Sequence, residues 1–99
     1  MTIYAILAMK VDFPNTLERV RKIFAANEYK LWPFEQGHSV VLVSSTEKGA
    51  LALYEALGLS SSRVAVSIFP VLSAPFGPAP PDVYEWIGRN IVVNLWDPP

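Results

Sequence analysis

The sequence predicts a single α+β domain built on an antiparallel sheet, with the element order βαββαβ. Three observations carry this. Hydrophobic period switches between 2 and 3.6 in that order along the chain. Two segments, "TIYAILAM" and "VVLV", are apolar on both faces, the mark of strands in the middle of a sheet. The remaining two strands carry a proline or a strict alternation, the marks of edges.

The first strand is "TIYAILAM", residues 2–9. Ile3, Leu7 and Met9 point one way with Ala5 between them, and Tyr4, Ile6 and Ala8 point the other. The period then changes in "VDFPNTLERVRKIFAANE". Leu17, Val20, Ile23 and Phe24 form a helical stripe, with Glu18, Arg19, Arg21 and Lys22 opposite. Asn15 with Glu18 three residues later fits a capping box, so the helix is expected to start there.

"YKLWPF", residues 29–34, is a strand whose Pro33 cannot donate to a ladder, and so an edge strand. "EQGH" reads as a hairpin turn, with His38 solvated in it, and "SVVLVSS", residues 39–45, as the returning strand. The second helix is "TEKGALALYEALG", capped from Ser44, Ser45 or Thr46 and ended by Gly58. In "SSSRVAVSIFP" Val64, Val66 and Ile68 alternate with Arg63, Ala65 and Ser67, giving a half-covered edge strand.

This order is the ferredoxin-like split βαβ pattern, spatial order 4-1-3-2, occupying residues 1–70. Residues 71–99 extend the same domain as a strap. "FPVLSAPFGPAPPDVYEWIGRN" opens with a stiff, Pro-rich crossover, since prolines lower the entropy lost on ordering. Its PxxP spacings lack a nearby basic residue, so it does not read as an SH3 ligand. Pro80 and Pro81 suit a first helical turn, and Asp82 suits the positive end of the dipole. A helix of about two turns follows, closed by Gly88. "NIVVNLW", residues 90–96, reads as a fifth strand.

Composition narrows the function. The chain of 99 residues is 52% hydrophobic and 17% charged, too few charges to cover a small monomer, so a homodimer is expected. Its net charge of −1 lacks the Lys and Arg excess that nonspecific phosphate binding uses. It has no cysteine, which excludes disulfides, cysteine-type zinc sites and thiol catalysis. The N-terminal apolar run, Ile3 to Met9, has no basic segment before it and is not a signal peptide, so a cytoplasmic protein without a membrane segment is expected.

Candidate sites are few. His38 is the single histidine, so any Ser-His-Asp triad must use it. Arg19, Arg21 and Lys22, with Lys10, form a modest basic patch that reads as a solvated helix face. Asp12 reads as a polar residue leaving the first strand. Trp32, Phe76, Tyr84, Trp86 and Trp96 form the candidate binding or interface set, either as core and dimer contact or as the lining of an aromatic pocket.

"IYAILAMKVD" running into a helix, the hairpin "YKLWPFEQGHSVVLV" and the capped "SSTEKGALALYEALG" resemble, over residues 1–70, the small ferredoxin-like proteins of the Cas2 and VapD type. The resemblance implies a homodimer. It also implies that a nuclease, if this is one, would hold Mg²⁺ on Asp12, with the symmetry-related carboxylate of a second copy and water completing the shell. The leading expectation is a small dimeric regulatory protein that binds another macromolecule, with no cofactor. The metal-dependent nuclease and a small-molecule-binding domain are the alternatives.

Overall fold

The computed structural model of the protein describes residues 1–72 and 79–90. The crossover prolines Pro75 and Pro78, Phe76, and residues 91–96 of the expected fifth strand, Trp96 included, lie outside the described residues, while Asn90, expected to open that strand, is helical. Among the described residues four strands and three helices follow one another: β1 (Thr2–Ala8), α1 (Phe13–Ile23), β2 (Tyr29–Glu35), β3 (His38–Ser45), α2 (Ala50–Ala56), β4 (Val66–Val71) and α3 (Pro81–Asn90). Short 3-10 turns at Lys10–Asp12 and Leu59–Ser61 lead into α1 and out of α2.

The sheet has the order β2-β3-β1-β4 with every pair antiparallel, so β1 and β3 are central as their two-sided apolar sequences require. Both prolines in strands, Pro33 and Pro70, sit on edges, where a missing N–H leaves no gap in the ladder. Register puts Tyr4 opposite Val43 and Ile6 opposite Val41. These four side chains point to one face and meet Leu17, Val20 and Phe24 from the α1 region and Leu53 from α2. The alternate residues Ile3 and Leu42 point to the opposite face and meet Val83, Trp86 and Ile87 of α3. The helices therefore lie on both sides of the sheet, α1 and α2 on one and α3 on the other.

Five local expectations are corrected. Helix α1 begins at Phe13, not at Asn15, because Pro14 supplies a first-turn φ and the chain enters directly from the preceding 3-10 turn. Asn15 is inside the helix, where its Oδ1 accepts from Arg19 Nε at 2.8 Å. Ile23 leaves the stripe and is 51% exposed, while Thr16 and Phe13 take buried places.

Helix α2 begins only after Gly49, and Ser44 and Ser45 belong to β3. The delay has a cause in β1. The Tyr4 hydroxyl donates to the Glu47 carbonyl and accepts from the Gly49 N–H, both at 2.8 Å. That pair of bonds fixes the loop, and Gly49 takes a φ of 122° that side-chain-bearing residues rarely adopt. Gly58 does end this stretch, in the left-handed conformation expected of a C′ residue.

Helix α3 runs ten residues through Gly88 to Asn90, where Gly88 was expected to stop it. The Asn90 amide donates to the Trp86 carbonyl at 2.8 Å and satisfies one orphan acceptor of the last turn. At the other end the Pro80 carbonyl accepts from the Val83 N–H at 3.0 Å. His38, finally, is not solvated. It is buried at the start of β3, with Nε2 2.7 Å from the Ala8 carbonyl.

The Tyr4 bonds predict a stability effect. Tyr4→Phe keeps the ring in the core and leaves the Glu47 and Gly49 backbone groups without their partner. Urea denaturation should show a loss of about 1–3 kcal/mol with an unchanged m-value.

Candidate functional site: an apolar groove beside the third helix

The face of the sheet that carries α3 is only partly covered by it. Alternation in β1 puts Ile3, Ala5 and Leu7 on this face in that order. Ile3 is buried under α3, Ala5 is half-buried, and Leu7 is 39% exposed. Neighbouring strands repeat the gradient. Val71 packs against the α3 cluster, while Phe69, two residues earlier, is 50% exposed. Trp32 packs against it too, while Phe34, two residues on, is 52% exposed. Between the helix and these outer side chains lies a groove of about 520 Å³. Val40 and Leu42 form its floor, Ile87 the α3 wall, and Leu7, Phe34 and Phe69 the open end. All nine lining residues are apolar.

Three interactions set the position of α3. The Trp86 indole N–H donates to the Asn27 carbonyl in the α1–β2 loop at 3.1 Å. Lys30 of β2 pairs with Asp82 in the first helical turn at 2.6 Å. Trp32 and Tyr84 meet with ring centroids 6.4 Å apart at 54°. A ten-residue helix does not hold itself together in water, so these contacts and the burial of Val83 and Ile87 maintain it.

Of the expected binding residues, the structure brings Trp32, Tyr84 and Trp86 together at α3, while Phe76 and Trp96 lie outside the described residues. Trp86 is buried behind the groove and helps set its helical wall. Leu7, Phe34 and Phe69, which dominate the open end, were not singled out from sequence. Alternation held the signal: Leu7 shares a face with Ile3, and Phe69 is out of phase with the buried side of β4.

The other candidates are engaged in holding the fold. One Asp12 carboxylate oxygen accepts from the Ala65 N–H at 3.1 Å, and its carbonyl accepts from the Thr16 hydroxyl at 2.9 Å. Among the described residues no group of three or more His, Asp and Glu side chains is arranged to hold a metal ion. Arg19 turns inward from the basic patch. Its Nη1 donates to the Leu57 and Gly58 carbonyls, both at 3.0 Å, and neutralises the carboxy-terminal end of α2. Lys22 pairs with Glu18 on the exposed face at 3.7 Å, a contact worth little in water. No helix among the described residues is long and apolar enough to cross a membrane.

No family model, curated protein or solved structure matches the chain. The groove's own chemistry is therefore the basis for a functional reading.

The Asp82 contact is expected to give α3 docking a small acid-sensitive component, weakened by solvent screening because the carboxylate is exposed. The hydrogen bond from Lys30, opposed by desolvation and reinforced by the Lys30 charge, holds the Asp82 carboxyl below its ordinary value. A lowered folded-state pKa adds stability above the usual carboxylate range and loses it as pH falls through the lowered value. Tryptophan emission from Trp32 and Trp86 should therefore shift on acidification in the wild type. In Asp82→Asn the acid-dependent component should be smaller.

Proposed function

We propose that the protein is a cytosolic binding module whose working surface is the open end of this groove, and that a second copy of the chain occupies it. The observation that carries the reading is the trio of half-exposed side chains, Leu7, Phe34 and Phe69, around an all-apolar groove. A site for a polar metabolite places several polar groups to orient its ligand, whereas this lining is almost wholly apolar, with the Trp32 indole N–H as its one side-chain donor. A featureless apolar surface suits the side chains of another protein surface. Covering a half-exposed phenylalanine removes on the order of 100 Å² from water, which is about 2.5 kcal/mol at ~25 cal/mol per Å². A two-fold contact uses each residue twice, once from each copy.

The low share of charged residues, 17%, supports the same conclusion. So does the resemblance of residues 1–70 to the Cas2 and VapD type, whose members pair. As a dimer the module would present its outer surfaces to a macromolecular partner in a regulatory role. The nuclease alternative turns on Asp12, and loss of Mg²⁺-dependent cleavage in Asp12→Ala would replace the binding reading. The groove volume also falls within the range of small-ligand sites, which makes a small apolar ligand the competing occupant.

Sedimentation equilibrium at micromolar concentration separates these readings. The wild type should be dimeric. Phe69→Glu and Phe34→Glu should each raise the dissociation constant roughly 100-fold or more, at about 1.4 kcal/mol per tenfold. A wild type that stays monomeric overturns the dimer. A monomer whose tryptophan emission shifts with apolar ligands moves the assignment to the small-molecule alternative.

A further inference from the structure

His38 is the one histidine of the chain, and the fold buries it between two phenylalanines. Its ring lies 4.5 Å from that of Phe34 and 5.6 Å from that of Phe13, centroid to centroid. The paired register of β1 and β3 ends at Ile6 and Val41, so the Ala8 carbonyl lies beyond the last paired residues. His38 Nε2 takes that place at 2.7 Å, and a carbonyl accepts only from an N–H. The proton of the neutral ring therefore belongs on Nε2. Nδ1 then presents a lone pair, and it faces Glu35 Oε1 at 3.1 Å. A lone pair and a carboxylate repel. Only the doubly protonated ring donates to both acceptors.

Among the described residues that line the surroundings there is one further charge. Glu35 comes from the hairpin itself, and Lys10 lines the same surface hollow from the 3-10 turn after β1. From α1 the contact is Phe13, and from β4 the hollow is lined by Val66 and Ser67, none of them titratable. The Asp12 carboxylate is turned to the Ala65 N–H. Phe34 and Leu7 are common walls of this hollow and of the groove.

We propose that His38 is a proton-operated latch, which when charged ties the β2–β3 hairpin and the groove wall Phe34 to the end of β1. Loss of the Nδ1 proton sets the ring lone pair against Glu35. That side chain is half-exposed and swings into water, so the hairpin tip loosens while the Nε2 bond to Ala8 persists. The latch would regulate the open end of the groove. Its use in regulation rests on the reading of that face as a contact surface, but the latch itself does not.

The test is nuclear magnetic resonance of the whole chain over a pH series that takes the imidazole from its doubly to its singly protonated form. Imidazole ¹⁵N shifts report the proton positions, and backbone relaxation reports the mobility of residues 34–38. In the wild type the neutral ring should carry its proton on Nε2. As the ring deprotonates, order parameters at residues 35–37 should fall from about 0.85 towards 0.6. In Glu35→Gln the side-chain amide donates to neutral Nδ1 and its carbonyl accepts from the charged ring, so the hairpin should stay ordered throughout. A neutral ring protonated on Nδ1, hairpin order that ignores the ring titration, or a Glu35→Gln response equal to the wild type would each overturn the latch. These readouts concern the hairpin alone, so they stand apart from whether the face binds a second copy.

Discussion

The central strands must be covered on both faces, and the rest of the structure follows from that. Tyr4, Ile6, Val41 and Val43 need one apolar layer, and Ile3 and Leu42, their neighbours in sequence, need another. A one-residue slip would exchange the two sets, so burial on each side fixes register as firmly as the hydrogen bonds do. Helices α1 and α2 cover the first face along its length. Among the described residues the second has only α3, ten residues long, over the Ile3 end. The groove is what this difference in cover leaves open.

Polar groups in the interior serve a second purpose, which is to lock connections. Tyr4 holds the loop before α2, and Arg19 holds its end. Asp12 holds the approach to β4, and Trp86 ties α3 to the α1–β2 loop. In each case a side chain from one element bonds the backbone of a segment distant in sequence. Backbone groups left over from regular ladders must find partners, and here side chains supply them. No buried side-chain nitrogen or oxygen among the described residues lacks a partner. Apolar packing brings the layers together, and these bonds restrict the loops to one path.

Strand order was legible in the sequence because apolarity and proline report position directly. "TIYAILAM" and "VVLV" had to be central, and Pro33 had to be on an edge. Helix boundaries were less legible because the decisive groups lie far along the chain. Asn15 with Glu18 is a sound local cap, yet the 3-10 turn and Pro14 start the helix earlier. Ser45 and Thr46 could cap α2, but a hydroxyl on Tyr4 holds that loop away from helical geometry. His38 looked like a turn residue because its partner, the Ala8 carbonyl, is thirty positions earlier. The open end of the groove was half-legible. Alternation gives the face of Leu7 and Phe69, but the reach of α3 decides which residues on that face remain exposed.

That reach also bears on what kind of contact the face can make. The largest apolar patch on an ordinary monomer is about 300–600 Å², whereas a standard stable interface takes about 800 Å² from each partner. Leu7, Phe34 and Phe69 are each only about half-exposed, and together they are comparable to such a patch rather than to a full interface. A contact confined to them would be weak and reversible, with neighbouring surface needed to make it permanent. Under those conditions small changes in the groove wall matter. If a second copy sits there, as proposed, moving Phe34 would alter one of three principal contacts, and the ring packed at a tilt against Phe34 is that of His38. A small interface is more sensitive to such a local change than a large one, because the same change is a greater fraction of its binding energy.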